Sequence, residues 1–119
     1  MDFADAIKSH TGWKSRLLNF AKGSTLDRIN PDVASKDDRC PLGQWLHNEG
    51  KSELVGQRYY DELMMVHAAF HLEAAAIARL IEGGQTAQAK HALEDARSPF
   101  NQASSKVVAL MSRLRESVS

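Results

Sequence analysis

The sequence is poor in the residues that interrupt or cross-link a chain, with one cysteine, three prolines and seven glycines in 119 residues. Few prolines and glycines favour long regular elements in one compact domain. The single cysteine, Cys40, excludes an internal disulfide and leaves three roles: apolar filler, reactive thiol or metal ligand. Net charge is also absent, since 15 basic residues balance 15 acidic ones. This balance disfavours nucleic acid as a partner.

Long apolar runs are missing as well. No stretch reaches the roughly 20 apolar residues that cross a bilayer, and the first residues lack the basic and apolar regions of a signal peptide. We therefore expect one cytoplasmic domain over residues 1–119, without membrane contact of its own.

Apolar residues recur in steps of three and four, which predicts three long helices. The first covers residues 3–22 and the third covers residues 86–117. The second is expected to be capped by Ser52 and to end at Glu82, with Gly56 able to break off its first turn before the long run that begins near Tyr59. The third carries an unbroken heptad repeat, and Pro99 should kink it because proline lacks the N–H of a helical hydrogen bond.

Two shorter helical pieces are predicted between the first and second long helices. One covers residues 26–32 and is expected to stop at Asn30-Pro31; the other lies between Cys40 and Gly50. No segment has the alternation of a β-strand. The expected fold is all-α, an antiparallel helical bundle of three long helices plus short helical segments.

His67 and His71 lie four residues apart on the apolar side of the second long helix. Residues at this spacing share a helix face, with Cβ atoms about 5–6 Å apart, so both imidazoles can bind one ion. The pair alone is weak support for a metal site, which needs further ligands. His10, on the apolar stripe of the first helix, and Cys40 offer the nitrogen and sulfur that zinc prefers.

Three short motifs combine these residues with tryptophan and glycine at fixed spacing. They are His10-Thr-Gly-Trp13, Cys40-Pro-Leu-Gly43-Gln-Trp45 and His67-Ala-Ala-Phe-His71. In this order and at these separations, the chain resembles the chemoreceptor zinc-binding domain, a small bacterial module. The resemblance spans nearly the whole chain. It implies a helical bundle that usually forms a homodimer and that holds a zinc ion through His10, Cys40, His67 and His71.

The resemblance also implies a role in signal transduction. Such modules are attached to chemoreceptor signalling domains or to diguanylate cyclases, so this chain is expected to be a stand-alone member or a fragment of a longer signalling protein. The family is associated with both zinc and hypochlorous acid. In that setting Cys40 is expected to be the redox-sensing residue.

Four protein ligands complete the tetrahedral shell of zinc and leave no position for substrate, so we predict no enzyme activity. Three imidazoles and one thiolate leave about one positive charge, which calls for nearby carboxylates or carbonyls. Asp37, Asp38 and Glu73 are candidates, and Trp13 and Trp45 are expected to pack around the site.

Two other readings of the sequence compete with a sensor. In one, zinc is only a structural staple and the domain serves to dimerise its host. In the other, the chain is a metalloenzyme or a bundle that holds haem or a di-iron centre. A di-iron centre needs several buried carboxylates, and the apolar stripes of this chain carry none, which disfavours that reading.

Overall fold

A computed structural model describes residues 3–24, 26–54 and 56–118 of the chain. Every regular element in these ranges is a helix, which confirms the all-α expectation. The helices are α1 (Phe3–Ala21), α2 (Pro31–Ala34), α3 (Pro41–His47), α4 (Glu49–Glu53), α5 (Arg58–Glu82), α6 (Thr86–Glu94) and α7 (Pro99–Val118).

α5 is the central helix, and α7 runs back along it. Phe70 packs on Phe100 with ring centroids 5.1 Å apart, whereas Arg113 lies over the ring of Tyr59 at 5.3 Å. Later residues of α5 thus contact earlier residues of α7, so the two helices are antiparallel. α1 packs against both of these helices and against α6, so that α1, α5 and α7 enclose the core.

The segment before α2 differs from the sequence prediction. A helical turn over residues 26–32 that stops at Asn30-Pro31 is wrong, because these two residues begin a helix. The Asn30 side chain accepts a hydrogen bond from the Asp32 N–H at 2.9 Å, and Pro31 occupies the first helical position, where its missing N–H costs nothing. The resulting helix α2 packs against α5.

α3 begins where the sequence predicts a short helix. Cys40 is its N-cap and Pro41 its first residue, while Leu42 and Leu46 face inward and are buried. The hydroxyl of Tyr60 donates a hydrogen bond to the Leu46 carbonyl at 2.8 Å in the interior. α3 is thereby fixed to the start of α5.

Pro99 does not kink one long helix but begins a new one. α6 ends at Glu94, and the side-chain amide of Asn101 donates to the carbonyls of Leu93 (2.9 Å) and Asp95 (2.8 Å). These bonds satisfy carbonyls that the break leaves without helical partners. Ala96 lies in the break and is exposed, so the heptad repeat is interrupted at this residue.

The bond from Tyr60 to Leu46 gives a direct test of how α3 is held. Tyr60→Phe should lower the free energy of unfolding by about 1–2 kcal/mol, because it leaves a buried carbonyl without a donor. Tyr59→Phe is the matched control, since the Tyr59 ring lies under Arg113 and keeps that contact as phenylalanine. Urea unfolding followed by circular dichroism measures both. Equal effects of the two changes would contradict this role of the hydroxyl.

Candidate metal centre

The inner face of α5 presents His67 and His71 to the same point. Their side chains are 0% and 1% exposed, and their Nε2 atoms lie 3.0 Å apart. Neither ring can reach bulk water, and the buried Nδ1 atom of His67 has no hydrogen-bond partner among the described residues. The helical spacing read from the sequence therefore brings the two imidazoles together as predicted.

Cys40 completes a cluster of three ligand types. Its Sγ lies 3.3 Å from Nε2 of His67 and 3.5 Å from Nε2 of His71. Ligand atoms on a tetrahedral zinc ion lie about 3.3–3.6 Å apart for zinc–nitrogen bonds of about 2.05 Å and zinc–sulfur bonds of about 2.3 Å. The three atoms thus have the mutual separations of three corners of a zinc tetrahedron, to within about 0.3 Å.

The cluster is oriented by backbone groups. Nδ1 of His71 lies 3.0 Å from the Ala34 carbonyl, and donation to this oxygen leaves Nε2 free of a proton and able to bind a metal. The N–H of Gly43 donates to Sγ of Cys40 at 3.3 Å. Both ligand side chains are therefore held in place by the segments that carry α2 and α3.

His10 lies beside the cluster but outside it. Its ring is 4% exposed and packs on Phe70 at a centroid distance of 4.0 Å. The ring centroids of His10 and His67 are 6.1 Å apart. Two imidazoles on one zinc ion have centroids about 5 Å apart, so His10 stands about 1 Å too far out.

Two features of His10 are consistent with a role as the fourth ligand of a tetrahedral zinc ion. Its Nε2 is buried and has no hydrogen-bond partner, which is costly unless a metal or a proton acceptor is reached. His10 and Cys40 also line the same small cavity of about 10 Å³ between α1 and α3. His10 therefore borders the three-residue cluster of Cys40, His67 and His71.

Burial lowers the pKa of each histidine of the site. The pKa of His10 falls to about 4 and that of His67 to about 3, in each case mainly through desolvation and then through His71. The pKa of His71 is lowered by burial as well. All three imidazoles are therefore neutral near pH 7, which is the form that binds a metal.

The same burial raises the pKa of the Cys40 thiol, against the hydrogen bond from Gly43 that lowers it. Without metal the sulfur therefore holds its proton more firmly than a free cysteine does. To act as a zinc ligand Cys40 would have to lose that proton, because only the thiolate is a good ligand. Zinc binding through Cys40 would therefore be favoured by higher pH.

The expected carboxylates contribute unequally. Asp37 raises the pKa values of His67 and His71 through its charge, although its carboxylate contacts the His47 ring nitrogen at 3.1 Å. Asp38 is exposed and lies 4.0 Å from Arg39. Glu73 lines a surface depression between α5 and α7 instead.

The two tryptophans pack in different places. Trp13 meets the ring of His71 edge-on, with centroids 5.5 Å apart and an interplanar angle of 89°. Trp45 lies over Gly50, where an added Cβ would come within 2.9 Å of its ring. Trp13 therefore borders the cluster, whereas Trp45 closes the contact between α3 and α4.

Sequence reasoning missed two groups. The carbonyl of Ala34 that orients His71 is a backbone atom, so no side-chain motif could reveal it. Gly43 is part of a recognised motif, but its packing was not foreseen: an added Cβ would run into the Asp37 carbonyl group and lie 3.1 Å from the Asp38 Cα. This glycine lets the start of α3 lie directly on the preceding loop.

An all-helical chain that gathers a cysteine and two histidines in these positions is a small metal-binding bundle. The family model described as the chemoreceptor zinc-binding domain matches residues 10–78. This range is more than half of the chain and includes His10, Cys40, His67 and His71. The chain belongs to the chemoreceptor zinc-binding domain family, a regulatory zinc-binding family. No curated protein and no solved structure gives a significant match.

Gly43 and Gly12 form a matched pair for testing the start of α3. Gly43→Ala should destabilise the protein by about 1–3 kcal/mol and weaken zinc binding, because the Asp37–Asp38 loop has to move. Gly12→Ala in α1 meets nothing within 4 Å. It should stabilise by about 0.5–1 kcal/mol through helix propensity. Thermal unfolding and zinc titration check both, and a neutral Gly43→Ala would contradict the close packing.

The metal-free protein should lose stability in mild acid. Folded His10 and His67 have pKa values of about 4 and 3, below the ordinary 6.5, so the unfolded chain takes up protons first as pH falls. Stability is thus full above pH 6.5. By pH 5 each histidine should have removed at most about 2 kcal/mol. Urea unfolding with chelator at pH 7 and pH 5 measures this loss; equal stabilities would contradict it.

Proposed function

We propose that this domain is a zinc-binding sensory module of bacterial signal transduction, with His10, Cys40, His67 and His71 as the zinc ligands. The observation that carries the proposal is the approach of Cys40 Sγ to within 3.3 and 3.5 Å of two imidazole nitrogens that are themselves 3.0 Å apart. Family membership supports zinc as the metal. Four protein ligands leave no site for substrate, so the proposed role excludes catalysis at the metal.

Cys40 is the proposed response residue. It would supply the sulfur ligand, and it is half-buried whereas the three histidines are buried, so it is the most accessible of the four residues. Oxidation of a zinc thiolate by hypochlorous acid transfers two electrons from sulfur to chlorine and yields sulfenic acid and chloride. A sulfenic acid is a poorer ligand, so zinc is held less firmly. A change in the concentration of free zinc would alter the occupancy of the same site, which includes Cys40.

The site converts this chemistry into a change of structure because its ligands come from separate segments. His10 belongs to α1, Cys40 to the start of α3, and His67 and His71 to α5. Zinc would tie the three segments together, and loss of the sulfur ligand would release the start of α3. The binding free energy of the metal is thereby available to shift the arrangement of helices.

The proposed context is a cytoplasmic homodimer within a larger signalling protein, attached to a chemoreceptor signalling domain or a diguanylate cyclase. A zinc-bound thiolate suits a reducing compartment. Met65 and Leu72 on α5 are 74% and 59% exposed and form apolar surface that a second copy would cover. Of the described helices, α5 has the length and apolar composition of a membrane span, but it is also the core helix of the bundle.

A second candidate is a structural zinc staple in a module that only dimerises its host. The convergence of three segments on one point favours this role as much as sensing, since a staple needs the same geometry. The two differ in exchange and reactivity. A staple holds zinc too firmly to exchange and does not respond to an oxidant.

A zinc titration tests the proposal. Metal-free protein should bind one zinc ion per chain with a gain in helicity, and hypochlorous acid should then release the ion. Cys40→Ser and His67→Ala should each weaken binding by more than the 10–100-fold that is typical of groups orienting a ligand. His91→Ala, at an exposed histidine on α6 whose only ion-pair partner in the described part of the chain is Asp95, is the control and should bind normally.

The outcomes separate the candidates. The sensor is supported if the oxidant releases zinc from the wild type and does not release it from Cys40→Ser. Firm retention of zinc under oxidant supports the staple. Equal zinc affinity of the wild type and Cys40→Ser would show that Cys40 is not a ligand.

A further inference from the structure

A cleft of about 330 Å³ opens beside Cys40. Its walls come from α1, from α2 with the loop that follows it, and from the start of α3, and the ring of His71 lies at its inner end. The half-buried Cys40 therefore borders an opening to solvent. A small molecule that enters the cleft therefore contacts Cys40.

The charged groups that line the cleft are all basic. They are Arg16 from α1 and Lys36 and Arg39 from the loop, and no carboxylate belongs to the lining. Within the described part of the chain, neither Arg16 nor Lys36 forms an ion pair, and Arg39 has only the exposed Asp38 at 4.0 Å. The cleft is thus a local concentration of positive charge on a chain with no net charge.

One of these cations is held in position. The guanidinium of Arg16 lies over the Trp13 ring, 4.7 Å from its centroid, and the same ring meets His71 edge-on at 5.5 Å. Trp13 therefore places a positive charge next to the metal cluster. The nearest acidic influence, Asp37, acts on Cys40 from outside the lining and is in contact with His47.

We propose that this cleft is a binding site for small anions, such as oxyanions and carboxylates, and that it delivers anionic reagents to the sulfur of Cys40. A cleft lined by one sign of charge raises the local concentration of oppositely charged small molecules by tenfold or more. For the sensor this would mean a preference for anionic over neutral thiol reagents, and that consequence rests on the proposed function. The anion preference itself does not depend on zinc.

Two alkylating reagents that differ by one charge test the proposal. Iodoacetate and iodoacetamide react alike: the sulfur forms a bond to the methylene carbon, and iodide leaves with the electrons of the carbon–iodine bond. The ratio of their rate constants cancels the intrinsic reactivity of the sulfur. Both rates are measured with a chelator present, because the charge of a bound metal ion would itself favour the anionic reagent. The full chain should favour iodoacetate about tenfold more than a small neutral thiol does.

Charge removal should abolish this preference. Arg16→Gln, Lys36→Gln and Arg39→Gln should each lower the rate ratio, and the triple variant should match the small thiol. Lys106→Gln on α7 removes the same charge outside the cleft and should leave the ratio unchanged. Because these side chains are exposed, the variants should keep the helicity of the parent.

Salt gives a second measurement that needs no variant. Raising the ionic strength or adding inorganic phosphate should lower the iodoacetate rate and leave the iodoacetamide rate unchanged. If the ratio of the iodoacetate rate to the iodoacetamide rate is unchanged by salt and by the triple substitution, the anion site is overturned. The proposed zinc binding would be unaffected by that result. Conversely, a charge-dependent ratio in a protein that fails to bind zinc would overturn the proposed sensor and keep the anion cleft.

Discussion

The arrangement depends on the imidazole of His71 being held from both sides. One ring nitrogen is fixed by the Ala34 carbonyl at 3.0 Å, and the other faces His67 and Cys40 at 3.0 and 3.5 Å. This single side chain links α2, α5 and the start of α3. Since burial makes a charged ring costly, the backbone bond also sets which nitrogen is free for the metal.

Buried polar groups require partners, and this requirement explains the packing around the cluster. α2 has four residues, yet it supplies the carbonyl that His71 needs. Gly43 brings the start of α3 onto the preceding loop and donates to the sulfur. His10 is the buried imidazole whose Nε2 has no partner, and it sits next to the place where a fourth ligand belongs. A metal in the cluster would supply a partner for the His10 Nε2 atom, whereas the buried Nδ1 atom of His67 would still lack one.

The two sides of the cluster have different properties. The inner side is formed by Phe70, Phe100 and the core of the bundle, where a charged histidine is disfavoured. The outer side is the basic cleft that leads to the half-buried Cys40. The apolar interior keeps the imidazoles neutral for metal binding, and the opening exposes the one ligand whose chemistry can change. The buried histidines thus lie on one side of the site, and the reactive cysteine lies on the other.

The sequence by itself determined the helical class, the first two long helices and the pairing of His67 with His71, because helical periodicity is a local property. It also marked Cys40 as the start of a short helix through the proline that follows. The beginning of α2 at Asn30-Pro31 was misjudged, since the same pair of residues can end one element or cap the next. The start of a new helix at Pro99 was missed for a similar reason: Asn101 and Ser98 satisfy the break through side chains.

Only the tertiary structure decided how the distant segments meet. The contact between Cys40 and His71 spans 31 residues, and the bond from His71 to Ala34 spans 37. The basic cleft likewise joins α1 to a loop that follows it by some distance in the chain. Such contacts follow from how whole helices pack, and the backbone carbonyl of Ala34 leaves no trace in a side-chain pattern. Local propensity fixes which residues share a helix face, whereas the burial of all the faces together fixes which residues share a site.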